Sequence, residues 1–160
     1  MGEPAPKLYV TYAEYEALEE KSQVKQEWLD GAVYDMAGST PEHAGLTGMV
    51  IRLLGNQLEG KRCRVFSSDL KVRVPATGLA TYADVTVVCG KLERDPDSKT
   101  AVTNPAVLVE VLSDSTEAYD RGEKFAHYRK LDTLQDYVLL SQTEPLAEHY
   151  HRKPDGSWLY

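Results

Sequence analysis

Residues 104–113, with the sequence NPAVLVEVLS, decide the fold of this chain. Such a near-continuous apolar run predicts a β-strand that is covered on both faces. Glu110 stands in the middle of the run. A carboxylate in that place costs several kcal/mol unless it is paired with a cation, hydrogen-bonded or bound to a metal ion. We therefore expect a buried strand and a specific partner for Glu110.

A second carboxylate belongs to residues 82–88, YADVTVV, which also predict a buried strand. Because side chains alternate along a strand, Asp84 lies on the more polar of its two faces. Two carboxylates on adjacent strands can share a hard cation through oxygen ligands, and that donor set suits Mg²⁺ or Mn²⁺. The alternative for Asp84 and Glu110 is a structural ion pair with Arg73 or Lys124.

A lysine follows on a helix that the sequence predicts over residues 119–130. Helical spacing puts Lys124 on one face with Tyr128 and Leu131, and hence on or near the buried side. A lysine aimed at two carboxylates can position an attacking water and stabilise a negative transition state. The alternative is an ordinary pair of Lys124 with Asp120 on the helix surface, worth a few tenths of a kcal/mol.

Local signals place the other elements. A capping box at residues 11–14 starts a first helix, Asp30-Gly31 predicts a tight hairpin turn, and Pro41 opens a second helix. Further strands are predicted at residues 64–66, 71–74, 137–141 and 148–151. The order predicts an α/β fold with helices around one mixed sheet. We expect a single domain over residues 1–160, with a loose lead-in at 1–10 and a truncated strand at 157–160.

The charge balance limits the class of protein. The chain has 18 Lys and Arg against 25 Asp and Glu, a net charge of −7, and a pI near 5.1. Proteins that coat nucleic acid need the opposite sign, because Lys and Arg make the phosphate contacts. An enzyme whose carboxylates hold a cation is compatible with this composition.

Cysteine and histidine spacing argues against zinc. Cys63 and Cys89 belong to no metal-binding motif, so we expect reduced, buried thiols. His149 and His151 share one strand face but show no third ligand. The start of the chain lacks a signal-peptide pattern and no stretch reaches ~18 apolar residues, so we expect a cytoplasmic protein with no membrane partner.

Several motifs, taken together, resemble a known family. They are residues 27–31 (EWLDG), His43, residues 82–85 (YADV), residues 109–113 (VEVLS) with Ser115 and Thr116, residues 119–124 (YDRGEK) and Tyr137. At this separation they resemble the Uma-two family of restriction-endonuclease-like proteins, within the PD-(D/E)XK nuclease superfamily. The resemblance covers nearly the whole chain from residue 11 onward. It implies a restriction-endonuclease-like α/β fold, a mixed β-sheet with flanking helices.

The resemblance also implies a set of site residues. Asp84 matches the catalytic aspartate, and Glu110 matches the acidic residue of the (D/E)XK element. The superfamily's lysine would fall at Leu112, so this family is thought to supply it from the following helix, where Lys124 matches. Glu27 matches an acidic position that is often counted with the site. The metal ligands would be Asp84, Glu110 and the carbonyl of Val111.

Three other features each leave two interpretations open. His43 could approach the site, although a plain hydrogen-bonded helix histidine is the favoured interpretation. The basic groups at residues 61–64 and 71–73 could touch phosphates or only protect a solvated strand edge.

The leading hypothesis is a Mg²⁺- or Mn²⁺-dependent endonuclease that hydrolyses DNA phosphodiester bonds, acting as a homodimer that pools basic residues. One alternative is a catalytically silent module with the nuclease fold that binds nucleic acid or protein as a dimer. Another is glycoside hydrolysis by the paired carboxylates. Few aromatic residues near them, apart from Tyr82, argue against a sugar platform.

Overall fold

The computed structural model describes residues 9–160, so most of the predicted lead-in lies outside the described residues. The helices are α1 (Tyr12–Lys21), α2 (Pro41–Gln57), α3 (Glu117–Arg121) and α4 (Glu123–Tyr128). The first strands are β1 (Gln26–Leu29), β2 (Ala32–Asp35), β3 (Cys63–Phe66), β4 (Lys71–Arg73) and β5 (Ala80–Tyr82). The others are β6 (Val85–Cys89), β7 (Ala101–Val102), β8 (Val107–Val111), β9 (Asp136–Leu140), β10 (Ala147–Arg152) and β11 (Trp158–Leu159).

These strands form two mixed sheets, and the expectation of one sheet is wrong. The five-stranded sheet has the order β2-β1-β5-β4-β7, and the six-stranded sheet has the order β11-β10-β9-β8-β6-β3. Each sheet contains one parallel pair, β4 with β7 and β8 with β9. The predicted α/β class with flanking helices is confirmed, with α2 packed against β3, β6 and β8.

Local chemistry explains the elements that the sequence predicted well. The Thr11 hydroxyl accepts from the Glu14 N–H at 3.2 Å while the Glu14 carboxylate accepts from the Thr11 N–H at 2.7 Å. This capping box satisfies two of the free amides at the start of α1. Asp30 and Gly31 adopt φ values of 46° and 82°, the left-handed pair that closes a two-residue hairpin.

Two predicted elements are interrupted, and both interruptions matter for the site. The strand predicted over residues 82–88 is split because β5 belongs to the five-stranded sheet and β6 to the six-stranded sheet. The chain therefore changes sheets at Ala83 and Asp84. The helix predicted over residues 119–130 is split at Gly122, where a Cβ atom would lie 3.1 Å from the Ala118 carbonyl oxygen.

The main core lies where α4 packs on one face of the six-stranded sheet. Phe125 of α4 stacks with Tyr137 at 5.0 Å between ring centroids and meets Tyr150 at 4.5 Å. Such aromatic pairs contribute beyond the area that they bury. A smaller core of Tyr15, Trp28 and Ala80 holds α1 against the five-stranded sheet.

The two cysteines form a disulfide bond, which corrects the expectation of reduced, buried thiols. Cys63 and Cys89 lie directly opposite each other in the antiparallel pair of β3 and β6, with Cα atoms 3.9 Å apart. Cys63 is half-buried and Cys89 is exposed. Their spacing in the sequence could not reveal the pairing, because it depends on the register of two strands.

None of the helices within residues 9–160 is both long and apolar enough to cross a membrane.

Candidate functional site

Asp84 lies at the point where the chain passes from one sheet to the other. The antiparallel register of β6 with β8 pairs Val85 with Val109. One residue before Val85 and one residue after Val109, Asp84 therefore lies opposite Glu110. Directly opposed residues in an antiparallel pair project from the same face. One Asp84 carboxylate oxygen, Oδ2, accepts a hydrogen bond from the Val111 N–H at 2.7 Å. The three predicted metal ligands therefore lie together at one end of β8.

Glu110 is buried, as the apolar run predicted, and it has two partners. Its Oε1 atom lies 2.8 Å from the Lys124 ammonium and accepts a hydrogen bond from the Tyr128 hydroxyl at 3.0 Å. Burial raises the pKa of Glu110, and the nearby Asp120 and Asp84 act in the same direction while Lys124 opposes them.

Lys124 is a buried lysine, and the alternative of a pair on the helix surface is wrong. Its side chain is only 4% exposed and also donates to the Tyr82 carbonyl oxygen at 3.2 Å. Asp120 lies 3.8 Å from the ammonium and is itself buried. Burial disfavours the ammonium, but attraction by Glu110 and Asp120 outweighs it and raises the pKa of Lys124. The two carboxyl groups therefore favour the charged form of this lysine.

Glu27 reaches the same region from the five-stranded sheet. Its Oε2 atom accepts a hydrogen bond from the Thr81 hydroxyl at 2.7 Å. Glu27 lies near enough to contribute to the raised pKa of Asp120, after burial, which is the largest cause. It also helps to raise the pKa of Tyr119, where burial is again the main cause. Glu27 thus lies near the other site residues that the resemblance implied.

His43 approaches the site, contrary to the favoured interpretation of a plain helix histidine. Its Nε2 atom lies 3.2 Å from Asp84 Oδ2, and its Nδ1 atom is 2.8 Å from the Ser39 hydroxyl. The Thr40 cap and Pro41 begin α2 just before His43, which fixes where the ring can reach. Asp84 and His43 are 18% and 17% exposed, so this side of the site meets solvent.

Sequence reasoning missed Asp120 as a member of the site. The helical spacing to Lys124 was visible, but it suggested only a surface pair. Burial raises the pKa of Asp120. Lys124 lowers this pKa, whereas the charges of Asp84 and Glu27 raise it. Four carboxylates, from Glu27, Asp84, Glu110 and Asp120, therefore lie together around this junction.

The donor set fits a hard divalent cation. Within residues 9–160, Asp84 Oδ1 and Glu110 Oε2 accept no hydrogen bond, so one oxygen of each carboxylate is available. Oxygen ligands are those that Mg²⁺ and Mn²⁺ prefer, and Mg²⁺ typically uses only one or two carboxylates and keeps several waters. These carboxylates do not bring three ligand atoms within 4.8 Å of one another, so a backbone oxygen or water must complete the shell.

Two basic residues that could have touched phosphates are used inside the protein. Lys71 lies 2.7 Å from both Glu16 and Glu19, and its side chain is 3% exposed. Arg73 stacks over the Tyr12 ring at 3.6 Å and faces Asp95 at 3.7 Å. The interpretation of residues 71–73 as a phosphate-binding group is therefore wrong, and Arg73 is not the partner of Glu110.

Comparison with known proteins agrees with this architecture. A crystal structure titled as a putative nuclease belonging to DUF820, from Anabaena variabilis, superimposes with a TM-score of 0.62 at 14% identity. The match covers 84% of this chain and 80% of that one. The fold is restriction-endonuclease-like.

The family follows from the sequence comparison. The family model of Uma2, described as "Putative restriction endonuclease", matches residues 12–160. Two uncharacterized proteins of Synechocystis sp. are similar: slr1290 is 42% identical over 98% of this chain and 80% of its own length, and sll1609 is 34% identical over 94% and 85%. The chain belongs to the Uma2 family.

Proposed function

We propose that this protein is a Mg²⁺- or Mn²⁺-dependent endonuclease that hydrolyses phosphodiester bonds in DNA. The observation that carries the proposal is the convergence of four carboxylates, two of them buried, where the two sheets meet. Glu110 and Asp120 lie beside Lys124, and burial raises the pKa of both. Burial disfavours the charged form of these carboxylates, and a divalent cation that binds between them stabilises that form.

Asp84, Glu110 and the Val111 carbonyl would hold the ion. When bound, a divalent ion lowers the pKa of a coordinated water and polarises a phosphoryl oxygen. Asp84 is oriented for this task by the Val111 N–H, which fixes Oδ2 and leaves Oδ1 available. Tyr128 and Lys124 fix Oε1 of Glu110 in the same way.

Lys124 would balance charge in the transition state. Phosphodiester hydrolysis concentrates negative charge on the phosphoryl oxygens, and a preoriented cation in a site of low dielectric stabilises it. The Lys124 ammonium is held by Glu110 on one side and by the Tyr82 carbonyl on the other. Tyr82 is the last residue of β5, so this hydrogen bond holds the ammonium near the junction where Asp84 lies.

Solvent reaches the site from the side of Asp84 and His43. Glu110 and Lys124 form the dry side, with side chains 4% exposed. DNA would therefore approach across Asp84, His43 and Glu27, the partly exposed members. The His43 imidazole lies beside Asp84 on this side.

A homodimer is part of the proposal, because one chain offers little basic surface to a duplex. Lys71 and Arg73 are used internally, and Arg121 pairs with Glu117 and Glu148. Lys61, Arg62 and Arg64 remain exposed, beside or within the edge strand β3. Light scattering at micromolar concentration should report twice the chain mass, and a monomer would contradict this part.

The experiment that tests the function is plasmid nicking with Mg²⁺, with Mn²⁺ and with EDTA, on protein purified free of other nucleases. We expect cleavage that requires the metal and is lost in Asp84→Asn. Glu123→Gln is the control, since Glu123 is exposed beside Lys124. Mn²⁺ binding without cleavage would favour the catalytically silent module. The glycosidase alternative is disfavoured because Tyr82 is buried and its hydroxyl donates to Glu19, so it offers no exposed platform for a sugar.

A further inference from the structure

A second cluster of possible metal ligands lies on the six-stranded sheet, away from the carboxylate site. Asp136 begins β9, and His149 and His151 lie two residues apart on β10. His149 Nε2 and His151 Nδ1 are 2.7 Å and 2.8 Å from the same carboxylate oxygen, Asp136 Oδ1. Within residues 9–160, this is the one trio of His, Cys, Asp or Glu side chains whose ligand atoms all lie within 4.8 Å.

The strand register brings the three side chains to one face. His151 is directly opposite Asp136 in the antiparallel pair of β9 and β10, and His149 shares its face because side chains alternate. The intervening Tyr150 points the other way and packs on Phe125. Tyr137, next to Asp136, is also buried in the core. The cluster therefore lies on the sheet face opposite the α4 core.

The expectation that the two histidines lack a third ligand is wrong, because the strand register brings Asp136 beside them. The third ligand comes from 13 and 15 residues away along the chain, through the pairing of two strands. A sequence pattern of alternate histidines shows only the two ligands that lie on the same strand.

The donor set differs from that of the carboxylate site. Imidazole nitrogen suits Zn²⁺, Cu²⁺ and Ni²⁺, whereas Mg²⁺ prefers oxygen ligands. Three protein ligands leave at least one coordination position open. In a tetrahedral site with bonds of about 2.0 Å, neighbouring ligand atoms are about 3.3 Å apart. The two nitrogen-to-oxygen separations need to open by about half an ångström to reach that value. Both imidazoles are about half exposed and can adjust.

We propose that Asp136, His149 and His151 form a binding site for a divalent transition-metal ion such as Zn²⁺. The ion replaces the hydrogen bonds that now converge on Asp136 Oδ1, and water completes its shell. Bound there, it cross-links β9 to β10. The site does not depend on the proposed nuclease activity, because none of its ligands belongs to the carboxylate cluster.

The test measures metal binding directly. Protein without a polyhistidine tag is titrated with Co²⁺, followed by its visible absorption, and Zn²⁺ is then added in competition, with Mg²⁺ in excess throughout. We expect one Co²⁺ site with nitrogen ligands that Zn²⁺ displaces and Mg²⁺ does not. His149→Ala and His151→Ala should each weaken Zn²⁺ binding by at least about tenfold, the lower end of the effect of disturbing a metal's supporting shell. His127→Gln, on α4, is the matched histidine control.

Thermal unfolding gives a second readout. An ion that binds only the folded protein raises Tm. Zn²⁺ should raise Tm of the wild type and of Glu110→Gln but not of the His149→Ala/His151→Ala double variant. Wild-type affinity and stoichiometry in that double variant would overturn the proposal. So would a wild type that shows no Zn²⁺ binding, since the cluster would then be held by hydrogen bonding alone.

Discussion

Lys124 and Glu110 form a buried ion pair with 2.8 Å between Nζ and Oε1, although one comes from a short helix and the other from a central strand. A lysine on a helix surface could be replaced at little cost. Replacing Lys124 leaves Glu110 buried without its cation. The same substitution therefore affects both the stability of the fold and the proposed cleavage.

The first prediction concerns Lys124→Met, which keeps the apolar stem and removes the charge. We expect the free energy of unfolding to fall by about 3 kcal/mol, since breaking a buried pair leaves an uncompensated charge. Cleavage should fall by about a hundredfold or more, the typical loss for a positioned electrostatic group. Urea unfolding and plasmid nicking measure the two effects. Lys130→Met, at an exposed lysine just after α4, is the control. Unchanged nicking in Lys124→Met would remove Lys124 from the mechanism.

The second prediction separates the metal ligands from the fold. Asp84→Asn keeps an oxygen that can accept from the Val111 N–H, and Glu110→Gln keeps one for Tyr128. Both variants should fold, while Mn²⁺ affinity by calorimetry should drop at least about tenfold because a charged ligand is lost. Asp114→Asn, exposed in the loop after β8, should bind like the wild type. Full Mn²⁺ affinity in both site variants would place the ion elsewhere.

The third prediction concerns the disulfide between Cys63 and Cys89. Closing a loop of 26 residues restricts the unfolded chain, and the entropy model gives up to about 3.5 kcal/mol of stability. A reductant should therefore lower the urea midpoint of the wild type and leave a Cys63→Ser/Cys89→Ser variant unchanged. If reductant also leaves the urea midpoint of the wild type unchanged, the disulfide bond does not form in solution.

The fourth prediction is a pH dependence away from the site. Burial disfavours the charge on Glu19, but hydrogen bonds from Lys71, the Gln26 N–H and Tyr82 outweigh it and hold its pKa below the ordinary value. A carboxyl whose pKa is lower in the folded state stabilises the protein above its unfolded pKa, and this stability is lost as the pH falls through the folded value. Glu19→Gln should therefore destabilise the protein at pH 7, and the difference should shrink below about pH 4.

The control for that series is Glu20→Gln, because Glu20 is the exposed neighbour on α1. Chemical unfolding of the three proteins at several pH values makes the comparison. A difference between wild type and Glu19→Gln that stays constant with pH would show that the carboxylate's charge contributes nothing.

The sequence predicted those parts of the fold that local chemistry determines. The Thr11 capping box, the Asp30-Gly31 turn and the Pro41 helix start each depend on a few adjacent residues, and each is confirmed. The burial of Glu110 was also predictable, since an apolar run surrounds it. The resemblance to the family then indicated Asp84 and Lys124, which the structure brings to the same junction.

What the sequence could not predict depends on the pairing of distant strands. Residues 82–88 alternate like one strand, yet the chain changes sheets at Asp84 because β5 and β6 have different partners. The Cys63–Cys89 bond and the contact of Asp136 with His149 also require a strand register. No local pattern carries that information.

The place of β8 in its sheet has a consequence for local opening. β8 has hydrogen-bonded neighbours on both sides, whereas β3 and β11 are the edge strands. Strands that open only with the whole structure protect their amides from hydrogen exchange, while edges fray at low free energy. We therefore expect the amide of Glu110 to exchange slowly, and fraying at either edge of this sheet leaves Glu110 in place.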